Sequence, residues 1–182
     1  MNTCTAFEGS SQIATGDLAH VALKVKEVVD RGERASVLIF DDHTSQVVEL
    51  DLRGSTDDVL QRLPTSDDGS RRPGRPKLGV VAREVTLLPR HWDWLALQPG
   101  GASVALRKLV EQASRDNQEQ DRIRIARESA YRFLSAMAGN EPGFEEATRA
   151  LFAGNRERFE QETETWPADV REHARKLAAA SF

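Results

Sequence analysis

An α+β fold is predicted for this chain of 182 residues. Three observations carry the prediction. β-type apolar runs and a helical pattern share the first third of the chain. A stretch rich in Pro, Gly, Ser and charge interrupts it before the midpoint. From about Ala102 onward the apolar residues recur at helical spacing. The expected organisation is an α/β domain over 1–63 and a basic Pro/Gly linker over 64–79. A strand-helix-helix unit over 80–118 and a helical region over 119–182 follow.

In the first part, Asp17 is placed to cap a helix from about Leu18 to Val29. Leu18, Val21, Ala22, Val25, Val28 and Val29 share one face, and Gly32 ends it. Ser36-Val-Leu-Ile-Phe40 and Val47-Val-Glu-Leu-Asp-Leu52 flank the turn-forming cluster Asp-Asp-His-Thr-Ser, so a hairpin is expected there. Val48, Leu50 and Leu52 would face one way and Glu49 and Asp51 the other. Ser55 or Thr56 then caps a short helix to about Leu63. The stretch before Cys4 has no pattern that orders it, and the N-terminus reads as mobile.

The charge distribution is uneven. Net charge is −4 overall, but residues 1–70 carry −7, residues 71–90 carry +5 and residues 91–182 carry −2. Positive charge gathered in twenty residues suits a nucleic-acid contact. The alternative is a basic linker that pairs with the acidic N-terminal domain.

The strand-helix-helix unit begins with Val80–Leu88, β-branched enough for a strand. Pro89 can stop pairing and open a helix. Trp92, Leu95 and Ala96 give that short helix an apolar stripe, which makes Trp92 a core residue rather than a base-stacking one. Gly100-Gly101 permits a sharp turn, Ser103 is a good N-cap, and Leu106, Leu109, Val110 and Ala113 form the buried face of a second helix. Leu88-Pro89, Gly101-Ala102-Ser103 and Leu106-Arg107 together resemble the ribbon-helix-helix DNA-binding proteins. That resemblance implies a homodimer, in which one strand from each chain pairs antiparallel and the ribbon enters the major groove. It also implies that the start of the second helix, around Gly101, Ser103 and Arg107, faces phosphate. Strand parity departs from the pattern. The positions that should point outward hold Leu87, Val85 and Arg83, unless a bulge near Leu88 turns Glu84 and Thr86 toward the bases.

In front of the strand, Arg72-Pro-Gly-Arg-Pro-Lys77 resembles an AT-hook. Gly74-Arg75-Pro76 match its core, and Pro73 stands where the first Arg should be. The resemblance implies that Arg71, Arg72, Gly74, Arg75 and Lys77 lie along the minor groove or the phosphates. A Pro-rich spacer is the alternative.

Helices are expected at Ser103–Ser114 and Arg122–Met137. Ala138-Gly-Asn140 breaks the second. AGNEPGFEEAT from Ala138 and AGNRERFEQET from Ala153 echo one another at a spacing of 15, each copy putting Gly at a helix end (Gly139, Gly154) and Asn at the next start (Asn140, Asn155), which predicts successive short helices joined by tight turns, with Phe144 and Phe159 matched. After Trp166-Pro167, a last helix over Ala168–Ala180 turns Val170, Ala174 and Leu177 inward. The stretches GRPKLGVVAREVTLLPRHWDWLALQPGGASVALRKLV, AGNEPGFEEATRALFAGNRERFE and WPADVREHARKLA are similar to a bacterial protein family known only as a domain of unknown function. That similarity implies no activity and no catalytic residue.

Other chemistries find little support. Cys4 is the only cysteine, which excludes an intrachain disulfide and fits a reducing cytoplasm. No apolar run approaches the roughly 20 residues of a membrane helix, and the N-terminus lacks the basic region and apolar core of a secretory signal, so none is expected. His20, His43, His91 and His173 form no metal-ligand spacing. Asp41-Asp42-His43 with Glu49 and Asp51 is the most metal-like cluster, but its residues are also ordinary turn formers. No nucleophile elbow or phosphate loop occurs. The expectation is a non-enzymatic cytoplasmic protein without metal or cofactor. It binds DNA as a homodimer and regulates transcription. The alternative is a protein-interaction module, with a partner taken through the C-terminal helices.

Overall fold

A computed structural model describes residues 3–32, 36–64, 81 and 83–182. Two compact units are present, one from residues 1–64 and 120–182 and the other from residues 65–119.

The first unit is built on a three-stranded antiparallel sheet. Strands β1 (Thr3–Glu8) and β2 (Ser11–Asp17) form a hairpin, and β3 (Val37–Asp41) pairs with the other edge of β1, giving the order β2-β1-β3. Gly9 turns the hairpin at φ 55, a left-handed value that glycine adopts at low cost. A bulge opposite Ala6/Phe7 accommodates Ile13. From Thr3 onward the chain is therefore part of the sheet, where the sequence led us to expect a mobile segment. Cys4, Thr5, Ala6 and Phe7 are all buried, because β1 is the central strand and is covered on both faces. Small residues are tolerated there because neighbours on both sides supply the packing.

Helix α1 (Leu18–Asp30) follows, capped by Asp17, whose carboxylate accepts from the amide of His20 at 2.9 Å. Cys4, Ala6, Ala14 and Ile39 pack with Val21 and Val25 on one face of the sheet. The expected hairpin after β3 is corrected. Val47 makes an isolated bridge to Phe40, and the amide of Val48 donates to Ile39 O at 2.8 Å, but the chain then leaves the ladder. Its alternation survives: Val48, Leu50 and Leu52 cover the α1-side core, while Glu49 and Asp51 are exposed. Arg62 holds this segment by donating to Asp51 O at 2.8 Å. Side-chain packing and an arginine thus replace strand pairing. Helix α2 (Thr56–Arg62) has Ser55 as its cap in a reciprocal box with Asp58.

On the other face of the sheet, Phe7 and Phe40 meet the C-terminal helices. The helices of this unit and the strands, expected from the sequence as separate regions, share one core. Phe133, Ala130 and Leu134 come from α5 (Gln118–Met137), Ala147, Ala150 and Leu151 from α6 (Phe144–Ala153), and Phe159 from α7 (Arg156–Glu162). Val170, Ala174 and Ala178 come from α8 (Ala168–Ala178), which continues into a 3-10 turn at Ala179–Ser181. The 15-residue echo does give two short helices. Its phenylalanines are not equivalent, however: Phe144 opens α6 and is half-buried, while Phe159 lies one turn inside α7 and is fully buried. Asn155 caps α7 by accepting from Arg158 N at 3.0 Å.

In the second unit, the described residues form α3 (Pro89–Ala96) and α4 (Gly101–Asp116), which pack together. Pro89 opens α3 as expected. The predicted strand is not formed in the single chain: Val81 and Arg83–Leu88 lie outside regular structure.

Candidate nucleic-acid interface

Of the residues expected to meet DNA, Arg71, Arg72, Gly74, Arg75 and Lys77 lie outside the described residues. Arg83, Glu84 and Thr86 are exposed on the extended segment that leads into α3. Among the described residues, the backbone groups of Arg83–Leu87 have no hydrogen-bond partner, so the segment keeps the open edge of an unpaired strand. Both parities are exposed except for half-buried Leu87. Neither set of alternating side chains is committed to a core within one chain.

The start of α4 corrects two assignments. Ser103 is not the cap. Gly100 caps the helix in a left-handed conformation at φ 85, and Gly101, at φ 74, is already its first residue. Two adjacent glycines reach these angles more cheaply than Ser could, so the helix starts earlier. The amide of Gly101 donates to Gln98 O at 2.9 Å and is not free for phosphate. Ser103 sits in the first turn, exposed, one turn from Arg107 on the same side of the helix, and Arg107 Nε donates to Ser103 O at 3.2 Å. The structure therefore brings Ser103 and Arg107 together.

Arg90 and Lys108 are exposed as well, and neither was singled out from the sequence, although Arg90 falls in the basic segment and Lys108 follows Arg107. Among the described residues, Arg83, Arg90, Arg107 and Lys108 make no ion pair. Arg115 of the same unit does pair, with Glu111, and in the first unit Arg53, Arg62, Arg124, Arg149, Arg158, Arg171 and Arg175 have carboxylate partners while Arg31, Arg127, Arg156 and Lys176 make no ion pair among the described residues.

The apolar side chains of the second unit also depart from expectation. Leu95 is 2% exposed, but Trp92 is not core, and Trp94 is 49% exposed. Leu109, Val110 and Ala113 are exposed rather than buried, and Leu106 is half-buried. The α4 stripe outruns the short helix that covers its first half.

The metal-like cluster in the first unit is a turn. Asp41 accepts from the amides of His43 and Thr44 at 3.1 and 2.8 Å and from the Thr44 hydroxyl at 2.8 Å. Burial pushes its carboxyl up, but these bonds outweigh that and hold it below the usual range. Thr5 Oγ1 donates to Asp42 Oδ1 at 2.6 Å and lies 3.0 Å from Thr15 Oγ1. No group of three metal-ligating side chains occurs among the described residues. Cys4 is inside the sheet, and burial, then Asp41 and Asp42, raise its thiol, the opposite of what a reactive cysteine needs. His173 is 4% exposed between the rings of Phe133 and Phe7, at 4.6 and 5.4 Å, with Nε2 unpartnered. Among the described residues no helix is long and apolar enough to cross a membrane.

Comparison with curated proteins and with solved structures finds no match. A family model described as "uncharacterized protein conserved in bacteria" matches residues 3–178. Those residues span both compact units, so the chain belongs to this bacterial family, DUF2239.

Proposed function

We propose that the chain binds DNA through its second unit and the basic segment that leads into it, and that it acts as a dimeric regulator of transcription. One observation carries the reading. Arg83, Arg90, Arg107 and Lys108 make no ion pair among the described residues, whereas Arg115 pairs with Glu111, and the four follow the basic run 71–77 in the sequence. Cations left unpaired in a net-acidic chain suit a polyanion contact, because each phosphate neutralised releases condensed counterions. The segment Arg83–Leu87, whose backbone is unpaired among the described residues, supports a ribbon completed by a second chain. Thr86 and Glu84 are then the base-reading candidates, and Glu84 would accept from a cytosine amino group.

The test is binding of the full chain to a random-sequence duplex, followed by anisotropy across salt concentrations. Log affinity should fall steeply with log salt. Replacing Arg75 and Lys77 together by Ala should lower the slope by about 2 if both meet phosphate. A wild-type chain that does not bind refutes the reading. A slope that the double variant leaves unchanged would assign the basic run to docking and favour the interaction-module reading.

A further inference from the structure

We infer that a second copy of this chain covers the apolar side of the second unit, the later half of each α4 packing against the other copy. The inference deepens the DNA-binding reading and rests on it only for the strand ribbon; the helical contact stands on its own observations.

The first observation is what the unit leaves open. Val81, Val85, Leu88, Trp92, Trp94, Leu97, Leu109 and Val110 are exposed, eight of the fourteen exposed large apolar side chains of the described chain. Leu97 is 83% exposed and Val110 65%. Among the described residues of this unit, the buried apolar ones are Leu95 and Ala105. A segment of this size that buries one large side chain does not offset its own ordering entropy. Something must cover it when it is folded.

The second observation is the shape of the stripe. Ala102, Ala105, Leu106, Leu109 and Ala113 follow one another at helical spacing along α4, with Val110 at the margin and no charged residue among them. Helix α3 is eight residues long and α4 sixteen, so α3 spans only half of the stripe. The uncovered part holds Leu109, Val110 and Ala113 and ends at Asp116, a short apolar patch that a copy of the same helix can meet.

The third is area and identity. Summed over α3, α4 and the segment before them, the eight exposed side chains leave on the order of 900 Å² of residue surface per chain, an upper bound on what a copy could cover and just above the ~800 Å² per partner of a standard interface. A two-fold axis lets one patch supply both halves of the contact. It also brings the unpaired backbone of Arg83–Leu87 the one partner certain to carry a matching edge, its own copy.

The experiment is sedimentation of the full chain from low to high micromolar concentration. We compare it with Leu109→Glu/Val110→Glu and with Phe152→Glu, an exposed apolar residue of the other unit. The wild type and Phe152→Glu should sediment at twice the chain mass, and the double variant at the chain mass with α-helical signal from the first unit retained. Acrylamide quenching supplies a second readout. Trp92 and Trp94 should become less accessible as wild-type concentration rises and stay accessible in the double variant. A monomeric wild type at high micromolar concentration overturns the inference, and so does a double variant that still dimerises. DNA binding is scored separately. A wild-type dimer that does not bind DNA keeps this inference and refutes the function above, whereas a DNA-binding monomer overturns this inference and the dimeric ribbon and leaves DNA binding alone standing.

Discussion

Lowering the pH should unfasten α8 from the sheet through His173. The imidazole is wedged between Phe133 and Phe7, and its Nε2 has no partner. Burial is the main cause that holds its pKa down at about 4; the Asp42 carboxylate pulls it up and Lys176 pushes it down. In the unfolded chain the same group titrates near 6.5. Between these values the unfolded state binds the proton and the folded state does not, so stability rises with pH across the window. The contribution is fully present above pH 6.5 and is lost as pH falls toward 4. A tenfold difference in proton affinity is worth ~1.4 kcal/mol, so the loss relative to neutral pH is about 2 kcal/mol at pH 5 and about 3 kcal/mol at pH 4. Urea unfolding of the wild type and of His173→Leu at pH 7, 5 and 4 measures it. The variant removes this titration while other acid-sensitive groups, such as Asp41 and Glu164, titrate in both proteins. The wild type should lose about 2 kcal/mol more than the variant between pH 7 and pH 5. Equal losses in the two proteins would refute the reasoning and mean that His173 is protonated or solvated in the folded state.

Two further outcomes are expected beside the salt-slope and sedimentation results. Gly100→Ala forces φ 85 on a residue with a Cβ and places that Cβ 3.1 Å from Val104, so the α3–α4 unit should lose ~1 kcal/mol or more, read as lower helicity and a lower unfolding midpoint. Thr86→Val should change which duplex sequences are preferred and leave the salt slope unchanged, because base contacts specify while phosphate contacts position. An unchanged preference in a selection from random duplexes would remove Thr86 from the interface.

The sequence by itself determined the elements whose signals are local. Asp17, Ser55 and Asn155 cap the helices they precede, because an N-cap needs only a short acceptor side chain and the next three amides. Pro89, Trp166-Pro167 and Gly154 mark helix ends for reasons internal to the backbone. The alternation of Val48, Leu50 and Leu52 identified the buried face of that segment even though no ladder forms. Tertiary structure decided the rest. β1 has no β-rich signature of its own; it is a strand because β2 and β3 pair with it and two layers cover it. The same pairing put Cys4 inside the sheet and Phe7 against α5 and α8, a contact no local pattern announces. At the candidate interface, composition exposed the basic run and the Leu-Pro and Gly-Gly punctuation, whereas Arg90 and Lys108 stand out only once the structure shows them exposed and in no ion pair among the described residues. Ser103 lost the capping role because the glycines before it start the helix earlier, a choice that depends on backbone angles rather than on cap preference. Leu109 and Val110 read correctly as an apolar face, but which surface covers that face is a property of two packed bodies, and one chain's periodicity does not contain it.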